Sequence, residues 1–155
     1  MENKQTVTVI GAGLAGSEAA WQIAQAGYPV RLFEMKPQKF SPAHKSAGFA
    51  ELICSNSLKA ARIDSAAGLL KEEMRRMDSL LVACADKTAV PAGGALAVDR
   101  DRFSELVTKA ITEHPNIEVM HGEVTEIPAE GVTVIASGPL TSDTLAEQIT
   151  NLCGG

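Results

Sequence analysis

A glycine-rich segment near the N-terminus has the residue types and the spacing of a phosphate-binding turn. Gly11, Gly13 and Gly16 form the pattern G-x-G-x-x-G directly after the apolar run VTVI, and Glu34 follows 23 positions after the first glycine. In such a pattern the first glycine permits a tight turn, the second lets the backbone approach a pyrophosphate, and the third lets a helix pack on a strand. Free N–H groups and the positive dipole at the start of that helix bind phosphate. The segment therefore predicts a site for an adenine dinucleotide.

The choice of dinucleotide depends on Glu34 and on a second turn near the end of the chain. Glu34 would accept hydrogen bonds from the ribose hydroxyls, and its charge would repel a 2′-phosphate, which disfavours NADP. FAD and NAD remain, and a turn at Ser137 and Gly138 that would contact a flavin favours FAD. The alternative is a turn that uses its glycines for packing alone. The predicted cofactor contacts in the first turn are Gly11, Ala12, Gly13, Leu14, Ala15 and Gly16.

Cys54 is the candidate nucleophile. It lies in the segment ELICSNSLK among small polar residues, with Lys45, Lys59 and Arg62 close in sequence. Basic neighbours can lower the pKa of a thiol and make the thiolate available for attack. A buried cysteine with a purely structural role fits the same residues. The residues alone leave both alternatives open.

The composition excludes several classes of protein. The chain has 155 residues, 45% of them apolar, which suits one packed domain. Its three cysteines are widely spaced and its three histidines are scattered, so we expect no disulfide framework, no metal site and a reducing cytoplasm. The sequence contains no long apolar run and no signal sequence, so we expect a soluble protein without a membrane segment.

The charge balance gives no overall field that would attract nucleic acid. The chain has 14 Lys and Arg against 19 Asp and Glu. Residues 31–76 are the one locally basic region, with nine basic and five acidic side chains. This region is either an ordinary solvated surface or the local patch that an RNA partner would need.

A βαβ unit must position the glycine turn and Glu34. We expect a strand over residues 7–10, a helix over 15–26 and a second strand over 28–34, with Gly27 just after the helix. Residues 36–48 carry two prolines and no periodicity, and they predict a long functional loop.

The rest of the chain is predicted to alternate between helices and short strands. One long helix is indicated by apolar residues at helical spacing, with Cys84 on its core-facing side. The expected elements are that helix over 65–85, a loop over TAVPAGG, a helix from its N-cap Asp99 to Pro115, strands over 117–120 and 132–136, partly extended chain over 122–128 and a final helix over 142–152. The fold class is therefore α/β, a Rossmann-like domain with a parallel sheet.

Four segments together closely resemble one family of flavoproteins. They are GAGLAGSEAAWQIAQAGYPVRLFEMKP, SPAHKSAGFAELICSNSLK, VPAGGALAVDRDRFSE and VIASGPLTS. The first would fit many flavoproteins, whereas the second and third are more distinctive. On these segments, which extend over most of residues 7–149, the sequence resembles the folate- and FAD-dependent tRNA uracil-5-methyltransferases, the TrmFO or Gid family. The second and third segments also separate this sequence from the related MnmG-type flavoproteins.

The resemblance implies a fold and an activity. A family member would use a Rossmann-like FAD-binding domain to methylate C5 of the T-loop uridine of tRNA. Methylenetetrahydrofolate would donate the carbon, and NADH or NADPH would supply reducing equivalents through FAD. Cys54 matches a catalytic cysteine of the family in CSNSL. A thiolate that adds at C6 of uracil would make C5 the nucleophile that accepts the methylene, and the uridine would have to leave its stack.

Three departures from the family bear on this expectation. Family members are much longer, with a second domain that carries another functional cysteine, which Cys153 does not match. Ser137 stands where threonine is usual, and Lys59 stands where arginine is common. We therefore expect residues 1–155 to be the N-terminal part of the FAD-binding domain, incomplete relative to the family and inactive by itself. The alternatives are another FAD-dependent oxidoreductase and a stand-alone nucleotide-binding module.

Overall fold

Strands and helices alternate along the chain in the computed structural model, which describes residues 4–154. Within these residues, four strands form a parallel sheet and three form a small antiparallel sheet. The strands are β1 (Val7–Ile10), β2 (Val30–Glu34), β3 (Ser57–Ala60), β4 (Ala89–Val90), β5 (Ala95–Val98), β6 (Ile117–His121) and β7 (Val132–Ile135). The helices are α1 (Leu14–Gln25), α2 (Ala66–Arg76), α3 (Leu80–Lys87), α4 (Arg100–Thr112) and α5 (Asp143–Leu152), with a short 3-10 helix over Gly138–Leu140.

The parallel sheet has the strand order β6-β2-β1-β7. β1 lies between β2 and β7, and Val7 pairs with Val30 on one side and with Val132 on the other. The chain leaves β1 through α1 towards β2, and β7 is added much later on the opposite side of β1. The carboxyl ends of β1 and β7 therefore meet where the strand order reverses, which is where open α/β sheets bind ligands. The α/β fold with a parallel sheet, predicted from the sequence, is confirmed.

The core lies between the parallel sheet and the helices α1, α3 and α4. Val9 of β1 and Leu32 of β2 have no exposed surface. Three residues of α4 recur every four positions and are fully buried against them, namely Phe103, Val107 and Ile111. This spacing places all three on one face of the helix, and the helix predicted between Asp99 and Pro115 is confirmed.

The helix ends predicted from the sequence are mostly correct. Asp99 caps α4, because its carboxylate accepts a hydrogen bond of 3.1 Å from the N–H of Arg102. Gly27 lies just after α1 with a φ of 81°, the left-handed conformation that ends many helices. The second strand begins at Val30, two residues later than predicted, and residues 122–128 form no strand.

The single helix expected over residues 65–85 is wrong, because the chain forms α2 and α3 there. A short turn in which Asp78 has a φ of 56° separates the two helices. The carboxylate of Glu18 in α1 accepts hydrogen bonds from the N–H groups of Leu80 and Leu81 at the start of α3. Because these bonds satisfy N–H groups that a continuous helix would have bonded internally, they favour a new helix start.

The apolar stripe predicted across residues 65–85 is only partly buried. Leu80 and Cys84 in α3 belong to the core, so the prediction for Cys84 is confirmed. Leu69, Leu70 and Met77 have 47%, 56% and 69% of their surface exposed. The helical spacing therefore predicted helical structure correctly. It did not identify the side of α2 that packs against the rest of the protein.

The antiparallel sheet of β3, β5 and β4 is absent from the sequence-based prediction. β5 lies in the middle, and three of its residues, Leu96, Ala97 and Val98, are buried. The loop predicted for TAVPAGG is wrong at Ala89 and Val90, which form β4 and pair with β5. These strands are two to four residues long, too short for a periodic pattern to identify them.

Two glycines let α1 pack closely on the end of β1. Gly11 has a φ of 98°, a conformation that residues with side chains rarely adopt. A Cβ at Gly16 would overlap the carbonyl oxygen of Gly11. The helix can therefore approach the strand only because neither position carries a side chain.

We expect Gly16→Ala to lower the free energy of unfolding by about 1–3 kcal/mol, because the added carbon forces α1 away from the turn. Urea denaturation followed by circular dichroism measures this change. Gly94→Ala is the matched control, since a Cβ there would meet only the Cδ of Arg62 at 3.8 Å. Equal unfolding midpoints for the two variants would contradict the packing role of Gly16.

Candidate functional site

A cleft of about 340 Å³ opens at the carboxyl ends of β1 and β7, beside the start of α1. This volume falls in the range of small-molecule sites, about 300–1,000 Å³. Most of the predicted cofactor residues line the cleft, namely Gly11, Gly13, Leu14, Ala15, Glu34, Ser137 and Gly138. Ala12 and Gly16 lie behind this surface, where Ala12 is buried and Gly16 packs on the turn.

The start of α1 borders the cleft and carries no side-chain cap. Its N-cap residue is Gly13, and its first turn contains no acidic side chain. A Cβ at Gly13 would meet no atom within 4 Å, so the backbone is open on that side. The first N–H groups of a helix have no partner within the helix, and the helix dipole favours an anion beside them. This arrangement can hold a phosphate.

The carboxylate of Glu34 is buried and joins two segments of backbone at the edge of the cleft. One oxygen accepts a hydrogen bond of 2.9 Å from the N–H of Ala12, and the other accepts one of 2.9 Å from the N–H of Lys36. Each carboxylate oxygen has capacity for a further hydrogen bond, so Glu34 can still accept a hydroxyl donor. The sequence pattern indicated its place beside the glycine turn but not these two bonds.

A buried lysine organises the long loop after β2. The ammonium group of Lys36 donates hydrogen bonds to the carbonyls of Gly48 and Ser46, at 2.6 and 3.2 Å, and lies 3.6 Å from the carboxylate of Glu51. The side chains of Lys36 and Glu51 are 4% and 16% exposed, and both residues line the cleft. Sequence reasoning missed them, because neither belongs to a spaced motif. In the sequence, only the length of the loop indicated that this segment has a function.

The surroundings of Glu51 stabilise its charged form. Burial raises the pKa of this carboxyl, but hydrogen bonds from the backbone N–H groups of Lys45 and Ser46 lower it, and the charge of Lys36 lowers it further. The net effect is a pKa below the ordinary value of 4.5. Glu51 therefore stays ionised and paired with Lys36 at neutral pH.

The second turn predicted to contact a cofactor lies on the opposite wall of the cleft. The hydroxyl of Ser137 is 2.7 Å from the hydroxyl of Thr141, which donates to the carbonyl of Gly138 at 2.7 Å. Gly138 has a φ of 71°, and a Cβ there would meet no atom within 4 Å. The turn therefore presents open backbone to the cleft, while the serine hydroxyl is engaged within the turn.

An ion pair that sequence reasoning missed stands at the mouth of the cleft. The ammonium group of Lys39 lies 2.7 Å from the carboxylate of Glu123. Hydrogen bonds from Lys39 and from Ser142 lower the pKa of this carboxyl. Glu123 and Ser142 line the cleft and follow different strands, which explains why no local pattern connected them.

Cys54 lies beside the cleft rather than in its wall. Its neighbour Ile53 lines the cleft, whereas Cys54 is an exposed free thiol that lines a second groove. The alternative of a buried structural cysteine is therefore wrong for this residue. The basic residue in the second groove is Arg100, which is distant in sequence, whereas nearby Arg62 pairs with Asp64.

None of the helices in the described part of the chain combines the length and the apolar composition that crossing a bilayer requires. No three His, Cys, Asp or Glu side chains among residues 4–154 are grouped in a way that could hold a metal ion.

Comparison with known proteins identifies similar chains and folds. A family model described as glucose inhibited division protein A matches residues 6–151. The Lactobacillus johnsonii protein named methylenetetrahydrofolate–tRNA-(uracil-5-)-methyltransferase TrmFO is 62% identical over 150 residues, which cover 97% of this chain and 34% of that protein. The chain therefore spans about a third of the length of such relatives.

Two solved structures share the fold at low sequence identity. Aquifex aeolicus GidA aligns with a TM-score of 0.64 at 19% identity, covering 83% of this chain and 21% of that one. The amino acid oxidase NikD aligns with a TM-score of 0.55 at 17% identity, covering 93% and 54%. At such identities the two structures support the α/β fold alone.

We expect Glu51→Gln to lower the free energy of unfolding by about 2 kcal/mol at pH 7, because Lys36 then lacks a charged partner. The folded-state pKa of Glu51 is depressed, so its contribution is complete above the unfolded pKa and is lost as pH falls through the folded pKa. The variant and the unaltered chain should therefore converge in stability as pH falls through the folded-state pKa of Glu51.

Urea midpoints at neutral and acidic pH measure this convergence. Glu147→Gln, at an exposed position on α5, is the matched control and should change stability little at either pH. A constant difference between Glu51→Gln and the unaltered chain across this pH range would contradict the assignment.

Proposed function

The chain belongs to the glucose inhibited division protein A family, and we propose that it forms part of the FAD-binding domain of an enzyme that methylates C5 of the T-loop uridine in tRNA. One observation carries this proposal. The 62% identity to a tRNA (uracil-5-)-methyltransferase extends over 97% of the chain, so it includes both the cleft and the Cys54 segment. Because the chain spans 34% of that relative, the proposed activity is that of the whole enzyme.

The cleft fits the adenosine diphosphate part of FAD. Unpaired N–H groups at the uncapped start of α1 would bind the pyrophosphate. The open side of Gly13 leaves room for the phosphate oxygens to approach the backbone. Glu34 would accept hydrogen bonds from the ribose hydroxyls, and its negative charge disfavours a cofactor with a 2′-phosphate. On the opposite wall, Ser137 and Gly138 would contact the cofactor through open backbone.

Cys54 is the proposed nucleophile of the reaction. Its exposed thiol lies one residue from Ile53, which lines the cleft. As thiolate it would add to C6 of uracil, and the displaced electron pair would make C5 an enolate-type nucleophile towards the one-carbon unit of methylenetetrahydrofolate. Loss of the C5 proton with departure of tetrahydrofolate would leave an exocyclic methylene at C5, and addition of a hydride to that methylene would expel the thiolate from C6. Bound FAD would supply the hydride equivalent, taken from NADH or NADPH, that reduces the methylene to a methyl group.

The proposed partners follow from this chemistry. The whole enzyme would bind tRNA, a folate and a nicotinamide dinucleotide, and it would act in the cytoplasm. This chain would contribute the cofactor cleft and the cysteine, and the remainder of the enzyme would complete the flavin and tRNA sites.

We expect Gly13→Ala to weaken FAD binding at least about tenfold, which is about 1.4 kcal/mol. The added methyl would take up the open space beside the backbone where the pyrophosphate approaches. Titration of the chain with FAD and with ADP, followed by calorimetry, measures the affinities. Gly94→Ala is again the control. Equal affinities of the unaltered chain and Gly13→Ala, or no binding of ADP by the unaltered chain, would count against the assigned cofactor site.

We expect Cys54→Ala to retain FAD and to lose methyl transfer by at least about a thousandfold, since covalent activation of the base would be absent. The assay uses a chimera in which this chain replaces the matching third of the Lactobacillus johnsonii relative. Transfer of labelled carbon from methylenetetrahydrofolate into tRNA is the readout. Cys153→Ala is the control and should transfer normally. Normal transfer by Cys54→Ala would disprove the catalytic assignment, and no transfer by the unaltered chimera that binds FAD would favour a different flavin-dependent activity.

A further inference from the structure

The ion pair at the mouth of the cleft joins two segments that come from different strands. Lys39 lies in the loop after β2, and Glu123 lies in the segment after β6. The ammonium group of Lys39 donates hydrogen bonds to both carboxylate oxygens of Glu123, at 2.7 and 2.8 Å. Water reaches both groups, because the side chains are 50% and 23% exposed. Exposed ion pairs of this kind are weak, so this pair can break and form again readily.

A serine from the opposite wall of the cleft also contacts Glu123. Ser142 is the N-cap residue of α5, a position at which a serine hydroxyl usually accepts a hydrogen bond from its own helix. In the described part of the chain this hydroxyl makes no such cap bond, and it donates to the carboxylate of Glu123. We call Lys39, Glu123 and Ser142 together the clasp.

The clasp extends from one side of the cleft to the other. In the parallel sheet β1 lies between β2 and β7, and the glycine turn follows β1. Lys39 follows β2, whereas Ser142 follows β7, so these two residues stand on opposite sides of the glycine turn. Glu123 contacts both of them, and both Glu123 and Ser142 line the cleft. The clasp therefore closes a ring of contacts around the carboxyl end of β1.

The two segments that carry Lys39 and Glu123 are also joined nearer to their strands. The Nδ1–H of His121 donates to the carbonyl of Lys36 at 2.7 Å, and the side-chain amide of Gln38 donates to the carbonyl of His121 at 3.4 Å. Gly122, directly before Glu123, has a φ of 146°, a conformation that favours glycine. Glycine gives the backbone freedom at this point, so Glu123 can move away while the contacts at His121 remain.

We propose that the clasp controls the entry and release of the dinucleotide cofactor, an inference that rests on the proposed function. When the clasp is closed, its ring of contacts retains the cofactor on the glycine turn. When the clasp opens, the cofactor enters or leaves. The bonds of the clasp join protein groups to each other in the free and in the bound state, so the clasp sets the rates of exchange and leaves the affinity unchanged.

Stopped-flow flavin fluorescence tests this proposal on the chain itself. Mixing the chain with FAD measures association, and displacement by excess ADP measures dissociation. We expect Glu123→Gln to raise both rate constants about threefold to fivefold, because the population with an open clasp increases. The Kd for FAD should stay within about twofold of the unaltered chain, since both rate constants change together.

A second variant separates opening of the clasp from a simple change of charge. Lys39→Met removes a cation, which by itself would slow the association of the anionic FAD. The proposal requires the opposite result, faster association and faster dissociation. The double variant with Lys39→Glu and Glu123→Lys keeps the net charge and reverses the ion pair, so it should restore slow exchange.

Glu118→Gln is the matched control. Glu118 forms an exposed ion pair with Arg31, and neither is among the described residues that line the cleft. This variant removes the same charge as Glu123→Gln and should leave both rate constants unchanged. Salt provides an independent comparison, because the Debye length at about 1 M salt is about 3 Å. The rate constants of the unaltered chain and of Glu123→Gln should converge there.

Unchanged rate constants in Glu123→Gln and Lys39→Met, faster dissociation without faster association, or an equal effect of Glu118→Gln would overturn the role of the clasp. The result is separable from the proposed function. FAD binding with the same rate constants in every variant would contradict the clasp alone. Failure of the unaltered chain to bind either FAD or ADP would contradict the proposed cofactor site, and the clasp with it.

Discussion

The buried carboxylate of Glu34 is the contact on which the architecture of the cleft depends. It binds the N–H of Ala12 in the glycine turn and the N–H of Lys36 at the start of the long loop. The ammonium group of Lys36 then holds the far end of that loop at Gly48, and the N–H of Ala50 returns to the carbonyl of Ala12 at 2.9 Å. These bonds form a closed circuit from the turn through the loop and back. Since hydrogen bonds that involve charged groups are among the stronger ones, this circuit fixes a segment that has no regular secondary structure.

The helix starts show why the cleft suits an anion. α2 is capped by the hydroxyl of Ser65, α3 by that of Ser79 and α4 by the carboxylate of Asp99. α1 begins at Gly13 without a side-chain cap, and its start borders the cleft. An uncapped helix start costs stability unless another group satisfies its N–H donors. A phosphate would satisfy them, so the missing cap and the position at the strand-order reversal both favour a nucleotide.

The sequence predicted those features whose causes are local. The βαβ unit, the N-cap Asp99 and the turn at Gly27 depend on residues within one or two turns of chain, and a linear pattern can reveal them. The break between α2 and α3 could not be predicted in this way, because Glu18 caps α3 from about 60 residues earlier. The contacts of Lys36 were equally hidden, since they join residues of a loop without periodicity.

The segment around Cys54 connects the cleft at the glycine turn to the second groove. At one end the N–H of Ala50 binds the carbonyl of Ala12 in the glycine turn, and at the other end Asn56 exchanges two hydrogen bonds with Val98 of β5. The thiol lies between these attachments, one on the cofactor cleft and one on the small antiparallel sheet. A cofactor that orders the glycine turn would therefore also restrain the position of Cys54 relative to the groove. The short strand β5, which no periodic pattern indicated, supplies the fixed partner against which the cysteine segment is held.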